Sequence, residues 1–342
     1  MKARASILNF AAGLAAVVAV STPVLAQDSV NLYTTREPGL VRPLLDAFTK
    51  ETGVRVNTVF VKQGLAERVA AEGDRSPADI LMDVDIGAIV DMVNRGVTQP
   101  VKSAVLEKAI PANLRDTGGH WFALSMRGRL IYASKKLGLK SISYEDLADP
   151  KYKGKICTRS GQHPYNTALI AAYIAHYGPQ RAETWLRGVK ANLAQKPSGG
   201  DREQARDILA GICELGIGNS YYVGLMRSGR GGPDQLKWGQ AVDVVIPTME
   251  GRGAHVNVSG AALAKNAPNK ANAVRFLEWL VTPDAQKIYA EANFEYPVVP
   301  GAKVDPIIAA LGELKVDPIP VADVARYRKQ ASELVDKVGF DN

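Results

Sequence analysis

The chain has 342 residues, 46% of them hydrophobic and 23% charged, with a formal net charge of +7 and only two cysteines. That length suits two α/β domains better than a single core. The mild positive charge is spread along the chain and not gathered into a basic arm, which speaks against a nucleic-acid partner.

The first 26 residues read as a secretory signal peptide: Lys2 and Arg4 precede a largely apolar stretch, and Val24-Leu25-Ala26 has the small-residue pattern of a cleavage site. A permanent membrane helix is the other reading, but the stretch is short and interrupted by Asn9 and Gly13, and no later segment approaches the ~20 apolar residues a span requires. Cleavage near Ala26 starts the mature chain at Gln27, lowers the charge from +7 to +5 by removing Lys2 and Arg4, and leaves 316 residues (342 minus 26).

In chain order, residues 30–33 form a short strand and 40–51 a helix with apolar spacing at Leu44, Leu45 and Phe48, stopped by Thr52-Gly53. Residues 54–61 alternate as a second strand, 65–72 make a second helix, and 79–84 are an apolar run of buried-strand length. This β-α-β-α-β rhythm predicts a parallel, doubly wound sheet. A helix over 86–95 follows, then separate strand signals at 121–126 and 130–133, then a loop over 135–155. Residues 155–159 open a fresh β-α pattern with helices over 166–177 and 182–191. After a break at 197–200 comes a helix from Asp201, then a strand over 215–219 that leads straight into Tyr221-Tyr222. The Gly-rich stretch 227–233 is a loop, 242–246 a strand, 270–280 and 284–293 helices, and the last forty residues are mostly helical.

Three tyrosines carry the chemistry: Tyr165 in the Gly-Gln-His-Pro-Tyr-Asn run 161–166, and the pair Tyr221-Tyr222. Phenolate is a hard anionic oxygen donor suited to a small trivalent cation, and three of them cancel the charge of Fe3+. An isolated tyrosine pair on a strand is more often half core, because neighbours point to opposite faces. Each cysteine, Cys157 and Cys213, stands eight residues before one of the tyrosines, Tyr165 and Tyr221. In an exported chain one bridge is a reasonable reading, and two buried thiols are the alternative.

Five segments, 32–40, 76–85, 161–166, 218–224 and 290–298, resemble in order and spacing the ferric-iron-binding periplasmic proteins of ABC transporters, within the type II solute-binding superfamily. The resemblance implies an α/β, two-lobed Venus-flytrap fold with a mixed, mainly parallel sheet in each lobe. Its lobes fall at 27–127 plus 248–301 and at 128–247, with a C-terminal helical segment, 302–342, packed on both. It implies capture of Fe3+ in the periplasm by Tyr165, Tyr221 and Tyr222, and delivery by a monomer to an inner-membrane permease and its ATPase. Glu37 and Pro38 replace the His-Tyr pair of one branch, so the chain looks like the branch in which three tyrosines and a carbonate complete the octahedron. Arg36, then Arg127, are the candidates to hold that carbonate or bicarbonate by a guanidinium fork, and Glu37 is a possible further ligand. Tyr33 matches a non-ligand position, and His163 suits a helix entry. An anion-binding protein for a small organic or phosphorus-containing ligand is the alternative function. A hydrolase is disfavoured: no Gly-x-Ser-x-Gly elbow, Ser-x-x-Lys pair, phosphate loop or His-Glu-x-x-His signature is present.

Overall fold

The computed structural model describes residues 28–342; the signal-peptide segment and its cleavage site lie outside them. The chain opens with β1 (Ser29–Thr34), α1 (Pro38–Thr52), β2 (Arg55–Phe60), α2 (Leu65–Glu72), β3 (Ile80–Asp83) and α3 (Ile86–Asn94). Pro38 stands in the first turn of α1, where its missing N–H costs nothing, and Gly53 ends the helix at φ 75°, a conformation glycine adopts freely. Val41, Leu44, Leu45 and Phe48 form its buried stripe. The Asp85 carboxylate caps α3 by accepting from the Gly87 and Ala88 amides.

Then follow β4 (Thr98–Gln99), α4 (Ala104–Ala109), the 13-residue β5 (Phe122–Ser134), β6 (Ile156–Cys157) and α5 (Pro164–Ala191), which is broken at Gly178 ahead of Pro179. Next come α6 (Asp201–Leu209), β7 (Leu215–Asn219), α7 (Ser220–Arg227), α8 (Pro233–Ala241), β8 (Val242–Val245) and β9 (Val256–Ala264). The chain ends with α9 (Lys270–Trp279), α10 (Pro283–Asn293), β10 (Tyr296–Pro297), α11 (Pro306–Ala309), α12 (Val321–Ala325) and α13 (Arg328–Val338).

The sheet runs β2-β1-β3-β9-β5-β7-β6, with β4, β8 and β10 paired beside it. Its parallel parts are β2-β1-β3, as the opening rhythm predicts, and β6-β7. The expectation of a mainly parallel sheet needs correcting elsewhere: β9 pairs antiparallel with β3 and β5, and β5 antiparallel with β7 and β8. These long strands pass between the two halves of the molecule without the crossover helix that parallel pairing requires. Residues 122–128 of β5 pair with β9, and residues 129–133 with β7. Arg127-Gly128-Arg129 thus sits inside a continuous strand, where the sequence suggested a break.

Two large apolar cores flank this crossing. One gathers Phe48, Trp121, Phe122 and Phe276; the other gathers Tyr144, Trp185, Leu186 and Leu215, with Val335, Val338 and Phe340 of the C-terminal segment packed into it. Among the described residues no helix is long and apolar enough to cross a membrane.

Candidate metal centre

The three tyrosines stand in the first turns of two helices. Tyr165 follows Pro164 at the start of α5, whose cap is His163: the imidazole Nδ1 accepts from the Tyr165 amide at 3.2 Å, and the two rings meet edge to face at 4.6 Å. Burial, then nearby Arg159, lowers the His163 pKa to about 4, so the ring is neutral and free to accept. Tyr221 and Tyr222 are the second and third residues of α7, which begins directly after β7. A strand would have turned one of the pair into the core, whereas helical neighbours lie about 100° apart, so both rings reach the same cavity. Their centroids are 4.1 Å apart. The Tyr165 and Tyr221 hydroxyls meet at 3.2 Å, although 56 residues separate them in sequence.

A buried network fixes this wall. Arg129 of β5 donates to Asp201 at 2.5 Å, to Asn219 Oδ1 at 3.0 Å and to Asn166 Oδ1 at 2.7 Å. Asp201 also accepts from Arg159 at 3.2 Å and from the Asn219 amide at 2.9 Å. The residues next to Tyr165 and just before Tyr221 are therefore held through one aspartate–arginine pair. Cys157 and Cys213 are bridged, with Cα atoms 5.9 Å apart, which settles the choice between a disulfide and two thiols. The bridge joins the end of β6 to the entrance of β7.

Burial pushes the Tyr221 phenol well above its usual pKa, with Tyr165 and Tyr222 adding to the effect, and burial raises Tyr222 as well. Both are therefore neutral phenols at neutral pH.

The facing wall is cationic. A cavity of about 440 Å³ is lined by Arg36, Glu37 and Asn293 on this side and by Tyr165, Tyr221 and Tyr222 on the other. Arg36 follows β1 and is 9% exposed; its NH2 donates to Ser259 at 2.7 Å and to Glu295 at 2.8 Å. Glu295 is 1% exposed and also accepts from Ser125 and, at 3.0 Å, from Ser259. Burial alone would raise the Glu295 carboxyl; Arg36 and Arg127 outweigh it and hold the pKa below the ordinary value. Arg127 is not among the lining residues. It donates to the Val84 carbonyl and lies 5.7 Å from the centre of the Tyr165 ring, behind the cavity. Glu37 is exposed on the rim, and its side chain makes no capping bond to α1. Tyr33 is core, its hydroxyl 3.3 Å from Glu72.

Sequence reasoning missed Glu295 and Asn293 as parts of this site. The available signal was a carboxylate set between Phe294 and Tyr296 in an otherwise apolar run, a place where an unpaired charge would not be tolerated. Among the described residues no group of three His, Cys, Asp or Glu side chains could hold a metal.

The family model for bacterial extracellular solute-binding proteins matches residues 75–310. Iron uptake protein A2 of Synechocystis is 40% identical over 316 residues, covering 91% of this chain and 90% of that protein. A Bordetella ferric binding protein superposes with a TM-score of 0.90 at 63% identity, over 92% of this chain and all of that one. A Trichodesmium protein solved in complex with iron and citrate superposes with a TM-score of 0.87 at 40% identity, over 91% of this chain and 99% of that one. With this two-core architecture and this cavity, the chain belongs to the bacterial extracellular solute-binding protein family and has its type II fold.

Proposed function

We propose that this chain is an exported, periplasmic binding protein that captures Fe3+ through Tyr165, Tyr221 and Tyr222 and delivers it, as a monomer without enzymatic activity, to an ABC permease and its ATPase. Residues 27–127 plus 248–301 form one lobe and 128–247 the other, with 302–342 packed on them; the cavity lies between. The observation that carries this reading is the convergence of the Tyr165 and Tyr221 hydroxyls to 3.2 Å, with the Tyr222 ring tilted against Tyr221 on the same cavity wall. Similar proteins named for iron uptake and ferric binding support it. Three phenolates neutralise Fe3+ and leave coordination positions for carbonate or bicarbonate at Arg36, with Arg127 behind and Glu37 a further oxygen donor at the rim.

The arginines lining the cavity, Arg36, Arg202 and Arg230, favour a second reading as a receptor for a small organic or phosphorus-containing anion. One equivalent of Fe3+ decides between them. Iron capture gives a visible phenolate-to-iron charge-transfer band that is weakened in Tyr165→Phe, Tyr221→Phe and Tyr222→Phe, each at near wild-type apo stability because the ring is kept. Loss of a phenolate donor should cost at least about a hundredfold in affinity, the upper end of what disturbing a ligand's supporting hydrogen bonds costs. Wild-type iron affinity in both pair variants removes the tyrosine site.

A further inference from the structure

The helix α10 stops on an aromatic residue in a conformation that suits glycine. Among the described residues only Phe294, at φ 56°, and Glu250 have a positive φ without being glycine. A Cβ is crowded in this left-handed region, which is why glycine takes most helix stops of the kind. Strain of this sort gathers where a side chain is held to a task. The Phe294 ring is buried with Tyr296 and Ile308 in a small apolar cluster, against which Tyr221 and Leu225 of α7 pack. Gly224 of α7 comes so close that a Cβ there would overlap the ring.

The ring also carries a cation. The Arg230 guanidinium lies 4.5 Å from its centre. Arg230 Nη1 donates to the Glu291 carbonyl at 3.2 Å and reaches the Ala292 carbonyl at 3.5 Å, both in the last turn of α10. One side chain thus meets the negative end of the helix and the π face together. Its loop is tied to the last turn of α7: the Gly231 amide donates to the Leu225 carbonyl at 3.3 Å and the Gly229 amide to the Met226 carbonyl at 3.2 Å. Gly229 and Gly232, at φ 78° and 91°, let the loop turn on either side of Arg230. Arg230 and Phe294 both line the cavity, and α7 and α10 belong to opposite lobes in the division given above.

We propose that Arg230 and Phe294 form a clasp between α7 and α10 and set how long the cavity keeps its cargo. This rests on the iron reading above and adds to it a control on release. In it both are positioning residues outside the donor set: the ring fills the space that Gly224 leaves, and the guanidinium ties the α7 loop to the end of α10. The clasp breaks when the two walls part, so it acts on escape; capture into an open cleft does not need it. Interactions of this kind change the dissociation rate far more than the association rate.

The test is release of Fe3+ from the loaded mature protein to excess EDTA in bicarbonate buffer, followed as decay of the charge-transfer band, with the association rate taken by rapid mixing. Arg230→Ala, a change at an exposed side chain, should speed release roughly tenfold, the worth of one cation–π contact with its hydrogen bonds. Its band should keep its position, and its association rate should stay within about threefold of wild type. Phe294→Ala should speed release as well. Each half of the clasp is idle without the other, so the double variant should release within about twofold of the faster single variant. Arg230→Lys, which keeps the charge without the planar fork, should fall between wild type and Arg230→Ala. A release rate in Arg230→Ala within about twofold of wild type overturns the inference, and that result stands even if Phe294→Ala fails to fold. Effects that multiply in the double variant also overturn it, because they show the arginine charge and the aromatic packing acting apart. A shifted band in Arg230→Ala overturns it too, by placing the arginine in the surroundings of the metal. Each of these results, with a band present in wild type, leaves the iron reading standing; no band in wild type overturns both.

Discussion

The two walls of the cavity solve opposite electrostatic problems. On one, Tyr165, Tyr221 and Tyr222 stand at helix starts, and burial holds the Tyr221 and Tyr222 phenols above their ordinary pKa. On the other, Arg36 and Arg127 are permanently charged and made tolerable by one buried carboxylate, Glu295. The tyrosine wall is braced by the Cys157–Cys213 bridge as well as by the buried Arg129–Asp201 pair, the arginine wall by the Arg36–Glu295 pair. Neutral phenols fold without a counter-charge, whereas a buried guanidinium must have its counter-charge beside it from the moment of folding.

The largest way to break this contrast is acid. Every phenolate on iron has displaced a proton, so three of them make the apparent affinity fall by up to about three decades per pH unit as pH drops. The charge-transfer band should be present at neutral pH and gone by about pH 5; an unchanged band assigns other ligands. For the empty protein the sign reverses. The raised Tyr221 and Tyr222 values favour the neutral phenol in the fold, so their contribution is intact below about pH 10 and is lost as pH rises through the folded values.

Next is the covalent brace. With 56 residues between its ends, the Cys157–Cys213 bridge should contribute roughly 4 kcal/mol on the chain-entropy account. Paired Cys157→Ser and Cys213→Ser variants, unfolded in denaturant, should lose about that much; a loss under 1 kcal/mol would show that the buried Arg129–Asp201 network holds this wall alone. The matching change on the other wall is Glu295→Gln, which leaves two guanidiniums uncompensated and should cost about 3 kcal/mol in the apo protein. Glu295 titrates below its ordinary value, so its contribution is present above the unfolded carboxylate range and lost as pH falls through the folded one. Stability of Glu295→Gln equal to wild type at pH 7 would show that the arginine wall needs no counter-charge. Smallest is Arg36→Ala, expected to lower anion-supported iron affinity about ten- to hundredfold and to erase most of the bicarbonate enhancement. Iron affinity without the anion should move far less, and an intact bicarbonate response would shift the anion contact to Arg127.

Local signals made much of this legible. The helix α2 near the start of the chain and the strand β7 in its second half fall where periodicity puts them. The tyrosines could be singled out because phenolate chemistry is unusual, but nothing local says that Tyr221-Tyr222 opens a helix and not a strand. The central strand β9 went unread: Val-Asn-Val-Ser-Gly-Ala-Ala-Leu-Ala is built of small residues with weak strand propensity, and it is a strand because it is sandwiched between β3 and β5. β5 was read as two pieces, 121–126 and 130–133; the two arginines between them are buried against partners from distant segments, which pattern along the chain does not show. Glu295 was hidden for the same reason: its ion pair closes across 259 residues, a distance over which pattern carries no information.

Those two arginines set a ruler inside the molecule. Arg127 supports the arginine wall and Arg129 the tyrosine wall, and they are alternate residues of one strand, about 7 Å apart along it and on the same face. The walls cannot slide along this short stretch without breaking the ladders to β9 and β7. A single inserted residue at Gly128 would turn Arg129 to the opposite face and strand Asp201, Asn166 and Asn219 at once.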